Sequence, residues 1–484
     1  MRNIIFRFAR GYVRVSVRRR VLAGVLMGGA SIAACSPSSL VDVQAPSTRV
    51  DPSQVKTSSA ALQLYNAASA WIARPLAGYG AWNVVQMDGL FTDELEAMAG
   101  FTYVDARTIF PPGTSSATDL LYTSIHQARV QAQQARQALQ LYAPDAPRAL
   151  QGQLFALEGY TVVWLAELYC SGIPLTTVPL DGRAQPTRGF TTQELFTRAI
   201  ALFDSAIVAG ADSARFVNLA RVGKSRALLG LGEFATADTV VQSVPTDFVY
   251  LVQFSANTSE FNNRLSTSAG RIAYRAQDNE GGNGLVWSTD PRTAIIQQPA
   301  RSGAMFWPAK YYATASGTLD PNTASPESPV RLADGLEARL IQAEAALAAG
   351  NASWLTTLNT LRATCVESAT CAPVPTLTTV NLPDTLTDPG TSATRLDLVM
   401  KERAMWLYMT GHREGDLRRL AHIYRRDPAT LWPTGTISEP AFPPLYRVPQ
   451  ITNGTSYGAD MVFPPNGDEQ ANNPLYTGCN DRNP

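Results

Sequence analysis

The chain has 484 residues, 45% hydrophobic and 17% charged, a globular rather than a disordered composition with room for one large domain or two. Forty basic residues balance forty acidic ones, and arginines crowd the first twenty positions. The remainder is therefore mildly acidic, which argues against a nucleic-acid footprint.

Arg2, Arg7, Arg10, Arg14 and Arg18-Arg19-Arg20 precede the apolar stretch Val21–Ile32 and then Ala33-Ala34-Cys35. A basic segment, a short apolar core and small residues form a secretory signal, and the stretch is shorter than the roughly 20 residues that span a bilayer. Cys35 directly after Ile-Ala-Ala resembles a bacterial lipobox, whose cysteine is acylated, for example with palmitate, and becomes the mature N-terminus. A plain signal peptide with an incidental cysteine is the alternative. Residues 1–34 are thus expected to be a leader, and the arginine run leaves export by the Sec or twin-arginine route open. Several acyl chains at about 0.8 kcal/mol per buried CH₂ would anchor the body to a membrane.

Residues 35–52, rich in Ser, Pro and Val, read as a tether, and residues 53–484 as one domain. Helical periodicity begins near Val55, with Leu62, Ala67 and Ala70-Trp71 able to share a face and Pro75 with Gly78 as the stop. Further helices are expected over Asp119–Leu141, Ala149–Tyr169, Thr192–Ala209 and Asn218–Leu231, with a new one starting near Glu233. Gly232 suits the left-handed residue that ends a helix, and Gly350 recurs in the same role before Trp354, Leu355, Leu358 and Leu361. Such helix pairs look like tetratricopeptide units, over about 55–244 and 331–425. The last helical block is Ala393–Met409 followed by His412–Tyr424, and residues 428–484 form a Pro- and Asn-rich tail.

Between the helix pairs, about 245–327, lies an insert dense in Gly, Ser, Thr, Asn and Pro that still carries Phe254, Phe261, Trp287, Phe306, Trp307, Tyr311 and Tyr312. Strand-like runs, Phe248–Phe254 and Arg271–Tyr274, are short. Irregular structure of this length is usually functional. Four cysteines follow Cys35, an even number that in an exported chain favours disulfides over metal ligands. Cys365 and Cys371 are close enough to pair, which leaves Cys170 for Cys479 by elimination. The three histidines lie far from these cysteines, so no metal or other cofactor is expected.

Several runs in order carry a family likeness: Thr92-Asp93-Glu94-Leu95, then FALEGYTVVWLAELYCSGIPL over Phe155–Leu175, the two helix-pair motifs, KERAMWLYMTGHREGDLRRL over Lys401–Leu420, and FPPNGDEQANNP over Phe463–Pro474. Together, behind a lipobox, they resemble the SusD/RagB nutrient-binding outer-membrane lipoproteins over essentially the whole mature chain. Glu414 and Gly415 depart from the family, standing where aromatics are frequent. The resemblance implies a mostly α fold of tetratricopeptide-like helix pairs. It further implies a cell-surface location and a TonB-dependent outer-membrane barrel as partner, with an oligosaccharide or peptide as ligand.

The ionisable residues admit two catalytic readings. His412 with Asp416, one turn apart, could be an oriented base, but charges this dense more often pair across helices. Asp88, Asp93 and Glu94 offer carboxylates, yet adjacent residues rarely straddle a sugar as glycosidases require. The chain is read as no enzyme. Aromatic rings in irregular loops are the positive signal, because sugars stack their C–H faces on them. The expected ligand face comprises Asp93, Phe101, Tyr103, Trp287, Trp307, Tyr311 and Tyr312. A membrane-anchored protein-binding scaffold is the rival, which would bury those rings and expose a groove between helix pairs; a secreted glycoside hydrolase is the lesser one.

Overall fold

The computed structural model describes residues 51–78, 82–97, 102–113, 115–266, 274–276, 284–300, 303–311, 325–365, 382, 385–437 and 456–482. The leader, Cys35 and most of the tether lie outside the described residues, as do Phe101, Tyr312, Cys371 and the side chain of Cys365.

The helices run α1 (Ser58–Trp71), α2 (Ala73–Ala77), α3 (Val84–Phe91), α4 (Thr102–Asp105), α5 (Ser116–Tyr142), α6 (Arg148–Leu168), α7 (Thr192–Ala209), α8 (Ala214–Gly230) and α9 (Phe234–Val241). After the insert come α10 (Gly335–Ala348), α11 (Ser353–Cys365), α12 (Ser392–Trp406) and α13 (Arg413–His422), with a short α14 (Asp468–Asn472) in the tail. Local chemistry sets their ends. Thr191 and Glu194 form a reciprocal capping box at α7, Thr391 and Thr394 one at α12, and Asp334 caps α10 by accepting from Glu337 N. Gly232 (φ 78°) and Gly350 (φ 69°) turn left-handed after α8 and α10, which is where their helices stop.

Successive helices pack on one another: α1 on α5, α5 on α6, α6 on α7, α7 on α8, α8 on α9, α9 on α10, and α10 on both α11 and α12. Small residues let them approach. A Cβ on Gly159 of α6 would stand 2.7 Å from the Phe203 ring, and one on Gly223 of α8 2.4 Å from it, so a single α7 phenylalanine fills the notch between two glycines. One face was misjudged. On α1 the buried residues are Ala61, Leu64 and Ala68, whereas Leu62, Ala67 and Trp71 are only partly covered and Ala70 is exposed.

Among the described residues, strands are short and paired in four two-stranded antiparallel sheets. β1 (Leu95–Ala97) pairs with β5 (Tyr274–Ala276), β2 (Ile173–Pro174) with β3 (Gly189–Phe190), β4 (Val249–Val252) with β8 (Val330–Asp334), and β6 (Ile295–Ala300) with β7 (Gly303–Pro308). Three of these pairs belong to the insert or bind it to the helices. Cys170 and Cys479 form a disulfide that fastens the tail to the end of α6, beside the bridges Tyr169–Phe463 and Ser171–Asp481. Phe463 itself is buried against Phe91 and Tyr169.

Candidate functional site

The expected ligand face is largely interior. Trp287 is fully buried and donates its indole N–H to the Asp93 carbonyl at 2.6 Å, with its ring 5.0 Å from that of Tyr408. Tyr311 is 4% exposed and donates to the Met409 carbonyl at 2.7 Å; its neighbour Lys310 reaches the Tyr408 carbonyl. Trp307, on β7 opposite Ile296, is 8% exposed. These rings fill the seam between insert and helices, and the polar tips of Trp287 and Tyr311 find backbone acceptors, which is how large amphipathic side chains are buried without loss. Placing Trp287, Trp307 and Tyr311 in a stacking surface was therefore wrong. Tyr103, on α4, is 40% exposed.

Asp93 is also removed from any ligand. Its carboxylate takes a bidentate pair from Arg413, Nε at 2.7 Å and Nη2 at 3.0 Å, with both side chains buried. Asp88 accepts the backbone N–H of Arg413 at 3.2 Å and of Glu414 at 2.9 Å, and Glu94 accepts that of Met409 at 3.1 Å. Burial raises Asp88 to about 7, Glu94 well above the usual carboxylate range, and Glu414 to about 8. Burial likewise lowers Lys310 to about 7. The carboxylates that a hydrolase would need are each engaged in holding the chain together.

His412 and Asp416 do not meet as a dyad. The imidazole lies 2.9 Å from Arg226 Nη1, 3.1 Å from Glu337 and 2.8 Å from the Thr410 hydroxyl. Asp416 instead accepts from Arg403 and Arg419, and Arg419 makes a second bidentate pair with Glu344. These pairs tie α12, α13 and α10 together, as dense buried charge does when it is structural.

A different surface has the features sought in the insert. Where α1, α2 and the start of α3 meet the segment 259–266, Trp71, Trp82 and Phe261 are partly buried rather than enclosed. Trp71 packs edge-on to Phe261, ring centroids 5.9 Å apart. The Arg74 guanidinium lies 4.7 Å over the Trp71 ring and that of Arg264 4.5 Å over Trp82. Arg74 Nη1 also donates to Gln127 at 3.3 Å, and Arg264 Nε to Gln86 at 3.0 Å. The bridge between Gly78 and Asn263 joins the two segments. A Cβ on Gly78 would lie 2.7 Å from the Arg74 backbone of its own segment and 3.1 Å from the Glu260 carbonyl oxygen across the junction, so glycine suits both the helix end and the approach. From the sequence, Trp71 is expected to share a helix face with Leu62 and Ala67, and Trp82 has no expected role. The available signal was the spacing of Trp71, Arg74 and Trp82 around a helix stop.

Three solved structures set this fold among known ones. A SusD-like carbohydrate binding protein from Bacteroides vulgatus ATCC 8482 superposes with a TM-score of 0.56 at 12% identity, over 87% of this chain and 98% of that one. The fold is SusD-like. B. fragilis NanU gives a TM-score of 0.59 at 13% identity over 90% of this chain and 99% of that one. A laminarin binding SusD-like protein gives 0.54 at 14% over 76% and 93%. No protein-family model and no curated protein matches the chain. The expected mostly helical, SusD-like architecture is thus what is found, although Trp287, Trp307 and Tyr311 of the insert turn inward.

Proposed function

We propose that this SusD-like chain belongs to the SusD/RagB lipoproteins and is a non-catalytic surface protein that binds a saccharide nutrient. Anchored through Cys35, it would deliver that ligand to a TonB-dependent outer-membrane barrel. The ordered motifs from Thr92 to Pro474 and the SusD-like fold support the family, and the names of two of the superposed structures carry carbohydrate or laminarin binding. The observation that carries the binding reading is the junction of Trp71, Trp82 and Phe261. Partly exposed rings beside hydrogen-bonding side chains match the C–H faces and hydroxyls of a sugar.

A glycan and peptide array probed with the chain from Ser36 onward tests this. Binding confined to saccharides is expected. Binding confined to peptides would move the ligand class, and binding to folded protein partners with neither would favour the scaffold reading. Sedimentation with a co-expressed barrel tests the delivery step.

A further inference from the structure

We propose that the cleft between α6, α7, α8 and α13 is a second ligand site, one that takes a compact, uncharged alcohol or phenol. It shares no lining residue with the Trp71–Trp82 junction and goes beyond the saccharide reading.

The cleft has a volume of about 230 Å³. Pockets for drug-sized ligands run from about 300 to 1,000 Å³, so its occupant is smaller than those. Phe196, Leu231 and Ile423 wall it with apolar surface, and Gly230 and Gly415 line it with bare backbone. A Cβ at those glycines would stand 2.5 Å from the Phe196 ring and 2.8 Å from the Glu167 carboxylate, so neither position admits a side chain without a shift. Two lining residues of different helices each carry a buried polar atom, Thr192 Oγ1 on α7 and His422 Nε2 on α13. Neither atom has a hydrogen-bond partner among the described residues, although buried polar groups are nearly always paired. Burial, with the Arg418 charge beside it, holds the His422 imidazole below its usual value, so the ring is neutral at pH 7. A ligand hydroxyl satisfies either tautomer of that ring, and the Thr192 hydroxyl as well, because it both donates and accepts. A formal charge is a poorer match. Glu167 already pairs with Arg226 at 2.9 and 2.6 Å, and Arg419 with Glu344 at 2.6 and 2.8 Å. Arg418 gives Nη1 to the Ala166 carbonyl at 2.7 Å and the Glu167 carbonyl at 2.5 Å. A charged ligand would lose its hydration beside apolar walls, and a sugar would bury more hydroxyls than two atoms can satisfy.

The test titrates phenol into the chain from Ser36 onward by ligand-observed nuclear magnetic resonance, then adds benzoate or methyl β-D-glucopyranoside as competitors. Phenol is expected to bind saturably, with each competitor weaker by about ten-fold or more. Thr192→Val and His422→Phe remove one orphaned atom each and should each weaken phenol by about five-fold, the loss of one hydrogen bond. Far-ultraviolet circular dichroism and thermal unfolding on the same samples confirm that both variants are folded. Trp71→Ala, at the junction, should leave phenol binding unchanged. Benzoate or the glucoside displacing phenol at equal or lower concentration overturns the neutral alcohol or phenol class. Phenol affinity that survives in both folded cleft variants, or no saturable phenol binding by the native chain, overturns the site. Each of those results leaves the saccharide reading of the junction standing.

Discussion

Asp88 and Arg413 stand 325 positions apart, yet the Asp88 carboxylate accepts the Arg413 backbone N–H at 3.2 Å and that of Glu414 at 2.9 Å. The residue at the cap position of α13, His412, makes no side-chain cap of its own. A carboxylate from α3 therefore caps a helix from the far end of the chain, where the exposed N–H groups and the positive end of the helix favour an anion. Asp93, five residues on, holds the Arg413 guanidinium. The two aspartates grip one residue by its backbone and its side chain, so the early Asp-Glu motif and the late Gly-His-Arg motif are halves of one clasp.

Breaking the clasp by one partner should be costly. Arg413→Ala leaves Asp93 buried without its cation and is expected to destabilise the fold by about 3–5 kcal/mol. The double change Arg413→Met with Asp93→Leu removes both charges and should cost less than either single change. Urea unfolding of the four proteins measures this, and additive losses would contradict it.

Glu414 gives a pH dependence of definite sign. Its carboxyl has an unfolded value of 4.5 and is raised by burial to about 8, against the lowering influence of Arg418 and of the Trp432 indole N–H, which it accepts at 2.9 Å. The folded chain keeps a proton that the unfolded chain releases between those values. Stability from this group is full below about pH 4.5 and declines until about pH 8. Glu414→Gln should flatten that decline and gain on the order of 1–4 kcal/mol over the native chain at pH 9. An unchanged slope from pH 5 to 9 would contradict the buried neutral acid.

Trp287→Ala should act on stability. Emptying a buried indole site costs about 3–5 kcal/mol, and here it also strands the Asp93 carbonyl and uncovers Tyr408. Thermal unfolding should show the loss, and any change in ligand affinity should vanish when the comparison is made well below the melting temperature. A variant of native stability that fails to bind would return Trp287 to the ligand face.

The helices were legible because periodicity and end signals are local: Thr192–Ala209 was expected with its observed bounds, and Gly232 and Gly350 end their helices as expected. The buried pairing of the Lys401–Leu420 charges followed from their density. The insert was not legible for a physical reason. Glycine- and serine-rich chain tends to lie at a surface, but nothing local says which side of an irregular segment a ring occupies. For Trp287 the answer lies 194 positions away, at the Asp93 carbonyl. For Trp71 the partner Phe261 belongs to the insert, so a helix face read alone does not reveal it.

Cys35→Ser tests the anchor. Because among the described residues no helix is long and apolar enough to cross a membrane, the acyl chains are the attachment this account supplies. The substituted protein should fold and leave the membrane fraction. Retention with membranes in high salt would contradict lipid anchoring.

The most direct measurement is the affinity of Trp71→Ala with Trp82→Ala for the saccharide that the native chain selects from an array, taken with far-ultraviolet circular dichroism on the same samples. Covering about 80 Å² of apolar indole on each ring at about 25 cal/mol per Å² is worth about 2 kcal/mol per ring, so the two substitutions together should weaken binding by several hundred-fold. Both rings sit on the partly exposed border of the core, so the helical signal should be retained. Native affinity in a folded double variant would contradict the account, and the binding face would lie elsewhere.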